Sequence, residues 1–555
     1  MRGHRRLTLA LVILAVLALL VAAVVVLRPF APGDDGANGN SGPTATGPTG
    51  PPDSQTLFLP GYDSSPSSIE LTDPATASGS AISTSLALSA GSVDTRGMVG
   101  LSFDARELAN PMWDDEDSNL ELTLEQLRSP ALRFGGNGID RSVWWTSTGE
   151  PAPEWAEATV TPKDLQRVAA VAKRVDAQVT IDLDLGHDDP ARAADMAAHA
   201  QEAFGDNLLA IAIGNEPNGF HHPNQPQLAV RGNSWSTTTY QRSLREYSAA
   251  LQKATPGIPV AGPDAYDAPW WRAFANSGIP DQRALSLHWY PLWDCDGPAS
   301  SIANPTIEDL TSPKLRERAR HIVDMGAKVA DAHDLPLWME ETGPTSCPGT
   351  NDTSRTHAQA LWTVDYTMTL AELGVERTAF HSTLQACDGG APMSPICARG
   401  PHADPGLIVA GRASYLALSL MSELPRGRVL DSSTSGDGRI AVHGVVGKDG
   451  RLGIAIVDMR DPAQQKNSAR AVEVSAPSGT EKLAPKGWTL SRASQLDAKS
   501  LDASSSTMGA LAPVTGALTG ATLERAHPLT VASEPGTVTV LELEPTAPEP
   551  SDAGG

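Results

Sequence analysis

From Gly97 onward, short apolar runs alternate with segments of helical period, and this rhythm limits the fold more than any other feature. Eight runs read as strands: Met98–Phe103, Ala131–Phe134, Val179–Leu185, Leu208–Ile213, Pro259–Ala261, Ala284–His288, Leu335–Met339 and Arg377–Phe380. Helical stripes lie between most of them. In Thr161–Val175 the stripe is Leu165, Val168, Ala169, Ala172 and Val175, with Thr161 as cap and Pro162 in the first turn. Tyr240, Leu244, Tyr247 and Leu251 repeat it in Ser236–Thr255, and Leu315, Ala319, Ile322 and Val329 do so behind Ser312-Pro313. Eight strand–helix units predict a (β/α)8 TIM barrel over residues 97–424. A doubly wound sheet is the alternative, but no Gly-rich phosphate loop follows the first run.

At 555 residues the chain is too long for one core. After Pro425 the helical period stops. Ile440–Val446, Leu452–Val457, Ala471–Val474 and Val538–Leu543 read as strands of a C-terminal β-sandwich domain, residues 425–545. Residues 56–96 carry short β-like runs expected to join that domain, and 546–555 read as a disordered tail. At the other end, Leu7–Leu27 is a run of 21 uncharged residues behind Arg2, Arg5 and Arg6. It predicts an N-terminal transmembrane anchor (1–28) with the rest of the chain exported: a single-pass cell-membrane protein. A cleaved signal peptide is the alternative, although Val24–Arg28 makes a poor cleavage site. Residues 29–55, rich in Gly, Pro, Ser and Thr, read as a spacer.

The formal net charge of −23 argues against nucleic acid as a partner and disfavours highly sulfated glycans. The four cysteines, Cys295, Cys347, Cys387 and Cys397, suggest disulfides in an exported chain. Of the three pairings, Cys387–Cys397 with Cys295–Cys347 is expected. No spacing supports a metal site, and no cofactor is called for.

Two strand ends carry candidate chemistry. Ile211–Ile213 leads into Gly214-Asn215-Glu216-Pro217, and alternation turns Ile211 and Ile213 to the helices and Glu216 to the barrel mouth. A partly desolvated carboxyl there can donate a proton to a leaving oxygen. Leu337-Trp338-Met339-Glu340-Glu341 ends the seventh run, and alternation places Glu341 on a face with Leu337 and Met339, opposite Glu340. Two such carboxyls about 5 Å apart give a retaining glycosidase, with Glu216 as acid/base and Glu341 as nucleophile. Asn215 is placed to bind a sugar hydroxyl, and Tyr290 and His288, at the end of the sixth run, to hold the nucleophile and substrate. Asp104 and Asn137 end the first two runs; Gly135-Gly136 beside Asn137 let backbone approach the substrate.

The stretches GLSFDARELANP, ALRFGGNGIDRS, IAIGNEPNGF and LWMEETGPTSC, with LHWYP between the last two, resemble glycoside hydrolase family 79, the heparanase and β-glucuronidase family of the retaining clan A barrels. The resemblance implies Glu216 as acid/base, Glu341 as nucleophile, and Asp104, Asn215 and Tyr290 in the sugar pocket. The chain also departs from the pattern. Uronate-binding members resemble one another in a Gly-rich loop after the nucleophile, whose N–H groups hold the carboxylate. Here Pro344 and Pro348 remove two donors. A tyrosine expected after the eighth run has no counterpart in Gln385–Gly406. The expected function is thus a β-glucuronidase-like retaining hydrolase acting on a carbohydrate. Xylosidase or arabinofuranosidase activity is one alternative, and an inactive membrane-anchored glycan-binding protein another.

Overall fold

The computed structural model describes residues 56–546 apart from 115, 224–228, 298–300, 302, 348–352 and 465–467. The expected anchor, the spacer 29–55 and the tail from residue 547 lie outside the described residues. Among the described residues no helix is long and apolar enough to cross a membrane.

The eight barrel strands, in chain order, are Gly100–Asp104, Ala131–Gly135, Gln178–Leu183, Leu208–Ile213, Val260–Ala265, Gln282–Trp289, Leu337–Thr342 and Val375–Ser382. Each pairs in parallel with the next, and the eighth pairs with the first, closing the ring. Alternation explains the two faces. Leu101, Phe103, Leu132, Phe134, Ile181, Ile211, Ile213 and Leu287 point outward into the large apolar core shared with the helices. Inward, the small side chains Ala210, Ala261 and Ala284 leave room for Trp338. Further along the strands the interior turns polar: Ser102, Arg133, Asp182, Asp264, Ser286 and His288 are all buried. Barrel interiors are ordinarily filled by branched apolar layers, so this polar layer marks the end that holds the candidate site.

The helix Pro162–Arg174 starts at the cap expected from the sequence. Thr161 and Asp164 form a capping box, the Thr161 N–H donating to Asp164 Oδ2 at 2.8 Å. Helix Thr237–Ala254 begins behind a second capping box, Ser236 with Thr239, and helix Pro313–Asp331 behind Ser312, whose side chain accepts from the Lys314 N–H. The helix His357–Glu372 differs. All its residues before Glu372 are buried, because it lies between the barrel and the β-domain. A helix covered on every side has no polar face to give it a period.

The C-terminal strands, expected as a sandwich, hydrogen-bond into one branched 13-stranded sheet. Residues before the barrel enter it: Ile82–Ala87 runs antiparallel to Gly427–Thr434 and parallel to Arg470–Val474. Trp488, Ile454, Leu541 and Val531 lie in its core. His443 ties this sheet to the buried helix, with Nδ1 2.6 Å from Glu372 Oε1 and Nε2 3.1 Å from Asp365 Oδ1. Disulfides join Cys295 to Cys347 and Cys387 to Cys397, the expected pairing. They suit an extracytoplasmic setting.

Candidate active site

The fourth strand leaves the barrel through two left-handed residues. Gly214 has φ +79°, and a Cβ there would come within 2.7 Å of Leu185. Glu216 itself has φ 46° and ψ 56°, and its N–H donates to the Asp264 carbonyl at 2.8 Å. A non-glycine residue in this region is uncommon and collects at functional sites. The turn holds the Glu216 carboxyl at the mouth, where it is 20% exposed.

The seventh strand corrects the sequence argument for Glu341. Leu337 and Met339 pack outward and Trp338 inward. Plain alternation therefore sends Glu340, not Glu341, into the barrel, and Glu340 is there: its Oε1 accepts from Arg377 Nε at 2.5 Å. Glu341 reaches the mouth because the pairing slips on both sides, between Leu287 and His288 and between Met339 and Thr342. Such a bulge re-aims the next side chain. Both glutamates are interior, at different depths.

Beneath Glu341 lies Arg133, fully buried on the second strand. Its Nη1 donates to Glu341 Oε2 at 2.8 Å and to Ser102 Oγ at 3.0 Å. Its Nη2 donates to Asp182 Oδ2 at 2.6 Å and Asn215 Oδ1 at 2.7 Å, and its Nε to Asp264 Oδ2 at 2.9 Å. One guanidinium thus faces three carboxyls from three strands. Burial, with repulsion from Asp264, holds Asp182 well above its ordinary value, although Arg133 opposes the shift. Burial also works against ionised Asp264, but Arg133 and His288 outweigh it and hold it below its usual value.

His288 sits between carboxylates, with Nδ1 3.1 Å from Glu216 Oε1 and Nε2 3.8 Å from Asp264 Oδ2. Burial and Arg133 oppose its charge, yet Glu341, Asp264 and Glu216 raise it to about 10, so the ring is an imidazolium at neutral pH. For Glu341, burial is likewise overcome by His288 and Arg133, which lower it to about 2. Tyr290 donates its hydroxyl to Glu341 Oε1 at 2.8 Å. Burial and the Glu341 charge push that phenol well above its usual range, so it stays a donor.

Ligand atoms of Glu216, His288 and Glu341 lie within 4.8 Å of one another. The trio is a poor metal set. Both Glu341 oxygens are already held, by Arg133 and Tyr290.

The other expected residues divide. Asn137 lines the cavity at the mouth, of about 720 Å³, together with Glu216, Tyr290 and Glu341. Asn215 lies beneath, its N–H held by Asp140 Oδ2 at 2.7 Å and its side-chain Nδ2 3.5 Å from Asn137 Oδ1. Asp104 is not among the residues lining the cavity. Its carboxylate caps the turn Ala105–Ala109, accepting from the Arg106 N–H at 3.0 Å, and accepts from the Gly138 N–H at 3.0 Å. Sequence reasoning missed Arg133 and Asp264, and weighed Asp182 only as a weak metal ligand. The signal was present: charged residues stand at inward positions of otherwise apolar strands, as in Leu132-Arg133-Phe134 and Ile181-Asp182-Leu183. It also missed Tyr266, Trp293 and His381, which line the cavity from the loop after the fifth strand, the loop after the sixth, and the end of the eighth.

The sequence matches no family profile and no curated protein. The fold is shared with solved glycosidases. A 4-O-α-L-rhamnosyl-β-D-glucuronidase from Fusarium oxysporum 12S superposes with TM-score 0.62 at 18% identity, over 83% of this chain and 99% of that one. A family 51 arabinofuranosidase from Xanthomonas axonopodis pv. citri gives TM-score 0.58 at 15% identity, over 84% and 100%. A β-xylosidase from Caulobacter crescentus CB15 gives 0.54 at 15%, over 84% and 100%.

Proposed function

We propose that this chain is a retaining glycoside hydrolase in which Glu341 is the nucleophile and Glu216 the acid/base. The observation that carries the reading is the approach of the two carboxylates, with one oxygen of each inside 4.8 Å. Retaining enzymes hold this pair about 5 Å apart, whereas inverting enzymes leave room for a water. Glu341 attacks the anomeric carbon while Glu216 gives its proton to the departing oxygen, forming a glycosyl ester on Glu341. Glu216 then takes a proton from water as that water attacks the same carbon, and Glu341 leaves as carboxylate. Tyr290 and Arg133 hold the nucleophile ionised and oriented. His288 fixes Glu216, and Asn137 faces the sugar hydroxyls with Asn215 behind it.

The motif resemblance favours a β-glucuronide-type substrate. The cavity supports a second reading, an uncharged pentoside of the xyloside or arabinofuranoside kind, because no Lys or Arg lines it among the described residues. We read the protein as anchored by Leu7–Leu27 with the barrel outside the cell, in keeping with its two disulfides. A panel of nitrophenyl glycosides tests both substrates. Release from a β-glucuronide supports the first, and release from a pentoside alone supports the second. A purified protein that binds glycans but cleaves none, equally well as wild type and Glu341→Gln, would be the inactive glycan-binding alternative.

A further inference from the structure

Among the described residues, only Trp293 and Tyr266 are large hydrophobic side chains left exposed, at 62% and 49%. Both line the cavity that holds Glu216 and Glu341. Two exposed rings at one mouth, on a surface that otherwise hides its aromatics, point to a ligand that covers them.

We infer that Trp293 and Tyr266 form a leaving-group subsite, so that the departing part of the substrate is itself a ring, a second sugar or an aryl group, stacked on this platform. The inference rests on the hydrolase reading above and adds to it the class of leaving group.

Position decides which end of the substrate the rings meet. Tyr266 follows the fifth strand, two residues beyond the Asp264 carbonyl that accepts from the Glu216 N–H at 2.8 Å. The platform therefore begins beside the residue that protonates the departing oxygen. Asn137 and His381 line the cavity from the second and eighth strands, the side left for the sugar that becomes bound to Glu341. The apolar faces of sugar and aryl rings both stack on aromatic side chains.

The platform is also held in place. The Leu292 N–H donates to the Pro344 carbonyl at 3.2 Å, joining the Trp293 loop to the segment after the nucleophile. The disulfide Cys295–Cys347 joins the same two loops a few residues on. Behind Tyr266, the Ala265 carbonyl accepts from Trp271 Nε1 at 2.7 Å. Loops held this way give up little backbone freedom when a substrate stacks on the rings they carry.

The test compares two substrates with the same sugar: an aryl glycoside and the glycosyl fluoride, whose leaving group is one atom and cannot reach the platform. In Trp293→Ala and Tyr266→Ala, the ratio of kcat/KM for the aryl glycoside to that for the fluoride should fall at least tenfold. Trp293→Phe should recover part of the loss. An unchanged ratio overturns the inference, whether both rates fall together or neither falls. Binding of the aryl glycoside to Glu341→Gln, followed by calorimetry, separates this from the hydrolase reading. If wild type cleaves neither substrate but binding still weakens tenfold on adding Trp293→Ala, the platform stands and the hydrolase reading fails. Binding indifferent to both rings overturns the platform whatever the turnover.

Discussion

To serve as the proposed nucleophile Glu341 must stay ionised in a buried place, and its neighbours favour that form. With His288 and Arg133 holding it at about 2, its protonation should not limit the reaction above about pH 3. The kcat/KM profile should show no acid limb from the nucleophile between about pH 4 and 6; a limb there that moves in Tyr290→Phe would assign it to Glu341 after all. Glu341→Gln should lower kcat by about 10⁴-fold or more, equivalent to about 5 kcal/mol of barrier. Arg133 is held at a different cost. Arg133→Met leaves ionised Asp264 and Glu341 buried without their guanidinium. Such a loss should lower unfolding stability by about 3–5 kcal/mol in urea titration. An unchanged midpoint would mean that the carboxyls simply take up protons.

At the scale of elements, the strand ends explain both what was legible and what was not. The eight apolar runs each correspond to a barrel strand, because outward side chains must meet helices and so repeat reliably. The Asn215-Glu216-Pro217 turn was legible for the same reason, since Ile211 and Ile213 fix the register just before it. Glu341 was chosen for a reason the fold does not use. Its strand follows alternation as far as Glu340, and only a bulge in pairing brings Glu341 to the mouth. No residue pattern announces that slip. Arg133 was hidden because its partners come from strands far apart in sequence. A second element-scale consequence lies at His443, which Glu372 and Asp365 raise to about 9 against burial. A group raised above its unfolded value near 6.5 stabilises fully below that pH and loses its contribution as pH rises through about 9. The shift corresponds to at most about 3 kcal/mol. Unfolding measured at pH 6 and pH 9.5 should therefore show a smaller drop in His443→Gln than in wild type. Equal drops would mean that the contact between β-domain and buried helix is indifferent to this charge.

For the molecule as a whole, a barrel closed by eight parallel strands and a β-domain clasping one buried helix put all the site residues on the C-terminal ends of strands. At the site two cations, Arg133 and imidazolium His288, stand among the carboxyls of Asp182, Glu216, Asp264 and Glu341. The short span between Glu216 and Glu341 is what the proposed covalent double displacement rests on. The direct measurement is to incubate the protein with a 2-deoxy-2-fluoro glycoside bearing a good leaving group, which slows release of the bound sugar, and to map the labelled peptide by mass spectrometry. One sugar per chain, attached to Glu341, is the expected result. Label on Glu340 or Glu216, or no label in a protein that hydrolyses the parent glycoside, would contradict it.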